Sequence, residues 1–257
     1  FGRYTLLRAL GQGGMAETYL ARQHGSHGVE HYVCIKTLLK RHQDNETFLR
    51  HFEREAKLIS RLRHPNITQV LEFGAVGKER FLALELVDGL DLGKLHRRMQ
   101  ARSIALLPDL VLHIAVKMAY ALECAHQAQY RGRVVPIMHR DISPSNILLG
   151  SNGDVKLSDF GIAKALDAQA TILTQGLETK GKTPYMAPEY LRGEPFTPQA
   201  DLYALGVTLY EILTGKRPFD AESTVRIFER ASKGDYTPPG LAAPETPEVL
   251  ARAIETL

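Results

Sequence analysis

Tryptophan is absent from the 257 residues, and cysteine occurs only twice, as Cys34 and Cys124. With no paired cysteine spacing, the residues argue against a disulfide framework or a zinc site, and a reducing compartment is expected. Long apolar runs are missing too; none nears the roughly 18 residues that crossing a membrane requires. Charge of one sign is scarce: the net formal charge is +3, evenly mixed along the chain, which argues against nucleic acid as a partner. No Gly-Lys-Ser/Thr follows any glycine-rich stretch, which excludes a Walker-type phosphate loop. The chain opens on Phe1 with neither a methionine nor a signal-like segment, so it reads as a fragment. Its expected setting is the cytoplasm, with tethering by regions outside the fragment left open.

What is present is an ordinary globular composition, 44% hydrophobic and 24% charged, long enough for one large core or two lobes. Residues 1–87 look strand-rich with one helix. "YTLLRAL" and "HYVCIKTL" carry β-favouring residues around a glycine-rich turn, and "ITQVLEF" and "RFLALELV" read as further strands. Between them, Phe48, Phe52, Ile59 and Leu62 fall near helical spacing, with Asp44 or Asn45 to cap the start and Pro65 to stop it. "VDGLDL" is a polar break, which divides the chain into 1–87 and a mainly helical 88–257. There, Val111, Ile114, Ala115, Met118, Leu122 and Ala125 share one helical face, and "ADLYALGVTLYEILTG" is apolar nearly all round, predicting a buried central helix ended by Gly215. "YTPPGLAAPETP" is predicted as loop.

Four stretches carry chemistry. "GQGGMAETY", Gly11 to Tyr19, has glycines that let backbone N–H groups approach phosphate oxygens, although a plain hairpin turn explains such a loop about as well. In "VCIK", strand alternation puts Cys34 and Lys36 on one face; Lys36 is either a surface lysine or the partner of Glu55, which would aim its ammonium at phosphates. "HRDISPSN" and "LSDFG" supply Asp141, Asn146 and Asp159, hard oxygen donors suited to accepting a proton and holding Mg²⁺. A solvated turn could hold any one of them; all of them in this order, followed by "APE" at Ala187–Glu189, is a specific signal.

From Tyr4 to about Leu257 the chain resembles a eukaryotic-type (Hanks-type) protein kinase catalytic domain, and the wording of "GGMAETYLAR" and "HRDISPSN" is similar to bacterial serine/threonine kinases, myxobacterial ones in particular. The resemblance implies an α+β bilobal fold: a small antiparallel β-sheet lobe with one helix, and a larger helical lobe. It implies ATP and Mg²⁺ as cofactors and protein substrates as partners. Lys36 would hold the α- and β-phosphates and pair with Glu55; Asp141 would accept the substrate hydroxyl proton; Asn146 and Asp159 would hold Mg²⁺. Gly11, Gly13, Gly14, Ala16 and Thr18 form the phosphate loop, with Ala16 and Thr18 replacing the usual glycine and valine. Glu85 to Val87 form the hinge behind a Leu84 gatekeeper, Asp91 is placed for the ribose, and Leu148 packs under adenine with Cys34 and Leu92 beside it. Asp201 would brace the catalytic loop. The family continues past "LARAIETL" with helices and an arginine for Glu189, so the larger lobe reads as truncated.

One family residue is missing. Two places after Asp141, where serine/threonine kinases carry lysine, stands Ser143; the threonine before the "APE" segment is replaced by Lys182. The two side chains read as exchanged, so that Lys182 brings the ammonium to the transferring phosphoryl group and Ser143 supplies the hydroxyl. Losing such a donor outright would cost on the order of 3 kcal/mol, roughly a hundredfold in rate. The plainer alternative is that Ser143 fits a turn and Lys182 is solvated in a basic run. Arg140, with His51 and Lys164, is implied to receive an activation-segment phosphate on Thr174 or Thr179, or else on Thr171 or Thr183, with Glu178 as a partial mimic, and self-association would deliver it. The expected activity is a serine/threonine protein kinase. The rivals are a pseudokinase-like nucleotide-binding scaffold, opposed by the intact catalytic positions, and a small-molecule phosphotransferase, opposed by "APE" and the buried helix.

Overall fold

A computed structural model describes residues 1–13, 16–25, 29–161 and 182–257, without the side chains of Arg41 and His51. The smaller part is a five-stranded antiparallel sheet of β1 (Tyr4–Gln12), β2 (Ala16–His24), β3 (Glu30–Leu38), β4 (Val70–Val76) and β5 (Glu79–Glu85), in the order β1-β2-β3-β5-β4. Alternation sorts its side chains. Val33 and Ile35 are buried on one face with Tyr4, Ala21, Phe81 and Ala83, which leaves Cys34 and Lys36 to the other.

Two helices, not one, connect β3 to β4: a single turn, α1 (Lys40–Gln43), and then α2 (Glu46–Ile59). The Asn45 side chain caps α2 by accepting from Phe48 N at 3.0 Å. Phe48, Phe52, Ala56 and Ile59 are its buried stripe. The helix ends before Pro65, because the following turn folds Leu62 and Ile67 into the core. Leu157 N donates to Asn66 O at 2.8 Å and Thr68 N to Leu157 O at 2.9 Å, so this turn is tied to the larger part.

The larger part holds β6 (Gly89–Asp91), α3 (Leu92–Gln100), α4 (Pro108–His126), the hairpin β7 (Gln129–Tyr130) and β8 (Arg133–Val134), β9 (Ile147–Gly150) and β10 (Val155–Leu157). Beyond them lie α5 (Pro188–Leu191), α6 (Pro198–Thr214), α7 (Thr224–Lys233), α8 (Pro239–Ala242) and α9 (Glu248–Thr256). The polar break is therefore a short strand: β6 joins a three-stranded sheet ordered β10-β9-β6. Gly89 is required there, since a Cβ would sit 1.9 Å from Leu149 O. The proline-rich stretch expected as loop contains the turn of α8.

α6 is the buried central helix expected, ended by Gly215 at φ +78°. Its Leu205, Leu209 and Ile212 belong to one core with Val111, Ile114, Met118 and Leu122 of α4, and that core continues into Phe52, Ile59 and Leu82 of the smaller part. Among the described residues, no helix is long and apolar enough to cross a membrane.

Candidate active site

The catalytic loop hangs from the central helix. Asp201, wholly buried near the start of α6, accepts from His139 N at 2.7 Å and Arg140 N at 2.8 Å, and meets His126 Nε2 at 2.9 Å. Two backbone donors and an imidazole satisfy a carboxylate that burial would otherwise penalise. This is the bracing role expected of it. His139 is itself buried: its Nε2 bonds Ser158 O at 2.8 Å, while its Nδ1 accepts from Asp141 N at 3.2 Å. Those partners require the neutral ring, and burial holds its pKa below the usual histidine value, against the pull of Asp201. Arg140 at φ +64° and Asp159 at φ +58° adopt left-handed backbone, local strain retained at two positions of the site.

Around Asp141 the expected groups converge. Asn146 Nδ2 donates to Asp141 O at 2.6 Å and to Asp141 Oδ2 at 3.0 Å. Lys182 Nζ donates to the same Oδ2. The Lys182 side chain is 39% exposed and that of Asp141 12%, so the pair lies at the mouth of the site, not free in solvent. Lys182 is thus not merely solvated. Ser143, however, does not bond it: the buried Ser143 hydroxyl pairs with Ser145 Oγ at 2.9 Å. The ammonium goes to a full carboxylate charge in preference to a neutral hydroxyl, the stronger partner.

Lys36 corrects a second expectation. Its Nζ donates to Asp159 Oδ1 at 2.8 Å, and it does not pair with Glu55. Glu55 Oε1 instead accepts from Arg140 Nη1 at 2.9 Å. The physical reason is charge matching: with Asp159 beside Lys36 and Arg140 beside Glu55, each cation neutralises a different carboxylate. Burial alone would lower the Lys36 pKa, but the Asp159 carboxylate outweighs it and holds the ammonium above the usual lysine value. Reciprocally, Lys36 holds the Asp159 carboxyl below the usual aspartate range. Burial pushes the Cys34 thiol up to about 12, which makes it an inert small side chain.

On the cleft face of the sheet, β2–β3 register sets Thr18 opposite Lys36, and β3–β5 register sets Cys34 opposite Leu84. Gly13 N donates to Ala16 O at 2.9 Å, closing the loop from Gly11; Gly14 lies outside the described residues. Leu148 pairs in register with Asp91, and Leu92 is buried beside it. The Asp91 carboxylate is engaged as the cap of α3, accepting from Lys94 N at 2.7 Å and pairing with Lys94 Nζ at 2.9 Å. Val87 lies in the segment 86–88, which leads from β5 to β6. The Glu85 carboxylate is clamped by Lys156 Nζ at 3.0 Å to each oxygen and by Gln69 N at 2.7 Å. Lys156 and Gln69 were missed from the sequence; partners 71 and 16 residues away leave no local signal.

The two candidate metal ligands, Asn146 and Asp159, are held close in the fold. Ser158 N and Oγ donate to Asn146 O at 2.8 and 3.1 Å, and Asp159 follows directly. With Asn146 Nδ2 turned to Asp141 and Asp159 Oδ1 to Lys36, each residue keeps one oxygen for a cation. No group of three His, Cys, Asp or Glu gathers among the described residues. Two hard oxygens fit Mg²⁺, which fills its shell with phosphate and water, and do not fit zinc. Thr171, Thr174, Thr179, Lys164 and Glu178 lie outside the described residues, as does the His51 side chain; Thr183 is buried in a 3₁₀ turn, Thr183–Tyr185.

Residues 4–244 match the protein kinase domain family, and the chain belongs to it. It is 39% identical over 252 residues to the tyrosine-protein kinase MasK of Myxococcus xanthus, covering 97% of this chain and 38% of that protein. It is 38% identical over 226 residues to the serine/threonine-protein kinase PrkC of Bacillus subtilis, covering 88% of this chain and 32% of PrkC. With the serine/threonine-protein kinase PknD of Mycobacterium tuberculosis the identity is 34% over 259 residues, 99% of this chain and 37% of PknD. The chain therefore spans about a third of the length of these curated relatives. The bilobal fold and the likeness to bacterial, including myxobacterial, kinases are as the sequence implied.

Proposed function

We propose that this domain transfers the γ-phosphate of Mg·ATP to serine or threonine hydroxyls of protein substrates, with Asp141 accepting the hydroxyl proton. The single observation that carries the reading is the cluster on Asp141: a carboxylate fixed by Asn146, reached by Lys182, and suspended from the central helix through Asp201. Lys36 and Lys182 supply positive charge on the two sides of the site, which is what a phosphoryl transition state demands. Mg²⁺, when bound by Asn146 and Asp159, would neutralise the phosphate charge. Gly11, Gly13, Gly14, Ala16 and Thr18 would cover the phosphates; Glu85, Val87, Cys34, Leu148 and Asp91 would surround the nucleoside. Glu55 would steady Arg140, the residue before Asp141, and Ser143 would keep the catalytic loop packed through Ser145.

Relatives named for both acceptor types make the acceptor the point to test. The absence from "HRDISPSN" of the alanine- and arginine-containing pattern of tyrosine kinases supports serine or threonine. A γ-labelled ATP assay with wild type beside Asp141→Asn, followed by phosphoamino-acid analysis, decides both questions. Phosphoserine or phosphothreonine from wild type alone is expected; phosphotyrosine alone would refute the acceptor, and no transfer at all would return the scaffold reading. Self-association to phosphorylate the activation segment and a cytoplasmic setting belong to the same proposal.

A further inference from the structure

The outer face of α2 and the tip of the β7–β8 hairpin form a basic surface that the catalytic reading does not use. Opposite the buried Phe52, Ala56 and Ile59, the exposed Arg54, Lys57 and Arg61 recur at helical spacing, the terminal turn carrying the pattern on to Arg61. They span about 10 Å along the axis. Arg61 lies over the ring of Tyr130 at 4.4 Å, and Arg131 lies over the same ring at 5.3 Å. Arg133 is the cross-strand partner of Tyr130, so its side chain leaves the hairpin on the same face. Arg131 occupies a hairpin-turn position at φ +51°, followed by Gly132 at φ +76°. A turn of this kind favours glycine or asparagine, and arginine is held there at a conformational cost.

The cations of this face also lack counter-charge. The other acidic side chains of α2 are engaged: Glu53 with Arg80, Glu46 with Arg50, Glu55 with Arg140. Among the described residues, Arg54, Lys57, Arg61, Arg131 and Arg133 have no carboxylate within ion-pair distance. On a chain whose net charge is only +3, five such cations on one face are a concentration.

We propose that this face docks an acidic polypeptide segment, its carboxylates spaced to meet the α2 row and the two guanidinium groups stacked on Tyr130. Guanidinium forks fixed by an aromatic ring are pre-organised for bidentate carboxylate contacts, whereas a lipid surface needs only diffuse positive charge. The surface crosses from α2, which carries Glu55 on its inner side, to the larger part, so an occupant would tie the two together.

The test uses the 257-residue chain and a fluorescent alanine-based helical peptide with glutamates at i, i+4, i+7 and i+11, against its glutamine counterpart. Anisotropy should detect salt-sensitive binding of the glutamate peptide only. Arg61→Ala with Arg131→Ala should weaken it by roughly tenfold or more, while Arg98→Ala with Arg102→Ala, on and just beyond the exposed end of α3, should not. Tyr130→Ala, which removes no charge, should weaken it and Tyr130→Phe should not; melting curves establish that each variant is folded. Equal losses from both arginine pairs, no binding to wild type, or tighter and equally Arg61-dependent binding to phosphatidylserine vesicles would each overturn the proposal.

Discussion

Lys36 and Lys182 each set an ammonium on a carboxylate of the site, yet they reach it in different ways. Lys36 stands in the middle of β3, hydrogen-bonded in register to β2 on one side and β5 on the other. Its place is fixed by a backbone ladder, and the Lys36 side chain is only 21% exposed. Lys182 stands at the entry of a 3₁₀ turn, more exposed, and is held at Asp141 by the ion pair itself. The first cation is delivered by secondary structure and the second by an irregular segment. The second is therefore the one whose contribution should depend on its surroundings.

The largest effect should come from breaking what the two cations serve. Asp141→Asn should lower kcat by about a thousandfold with nucleotide binding retained, measured by steady-state kinetics beside nucleotide titration. Next, Lys182→Thr should cost on the order of a hundredfold in kcat. Adding Ser143→Lys should recover part of that loss, so the double variant exceeds the product of the two single effects. Strict multiplicativity in that cycle would mean that the positions do not exchange roles. A smaller effect is expected at the end of β5: Lys156→Ala frees the Glu85 carboxylate and should raise KM for ATP by about fivefold with kcat little changed. A drop in kcat alone would argue that Lys156 acts elsewhere.

The smallest effect is on stability. His64, His96 and His139 are all held below the usual histidine pKa, by burial first. A depressed pKa means that the unfolded chain takes up protons before the folded one does. The stabilisation is complete above about pH 6.5 and is lost as pH falls through the folded values. The melting temperature should therefore decline from pH 7 to pH 5; a flat profile would contradict neutral burial of His139. The Lys36–Asp159 pair acts outside this window. Its aspartate contribution is lost only on acidification below about pH 4, and its lysine contribution only on alkalinisation through the raised value.

Much of this was legible in the chain. Alternation in "VCIK" put Lys36 on the cleft face, Asp44 or Asn45 announced the start of α2, and the apolar "ADLYALG" run announced a central helix with Asp201 inside it. These rest on local periods of two and 3.6 residues. Other features were not legible. "VDGLDL" looked like a break and is a strand, because the partner that makes it one, β9, lies some sixty residues on. The stop of α2 came before its proline, because packing of Leu62 and Ile67 ended it first.

The sequence by itself determined which side chains are the candidates for the chemistry: Lys36, Asp141, Asn146, Asp159, and the reciprocal oddity of Ser143 and Lys182. Their types and order are one-dimensional facts. Only the tertiary structure decided who pairs with whom: Lys36 with Asp159, Glu55 with Arg140, Lys182 with Asp141, Ser143 with Ser145. A charge chooses its partner by distance and desolvation, and both are set when elements remote in the chain pack against one another.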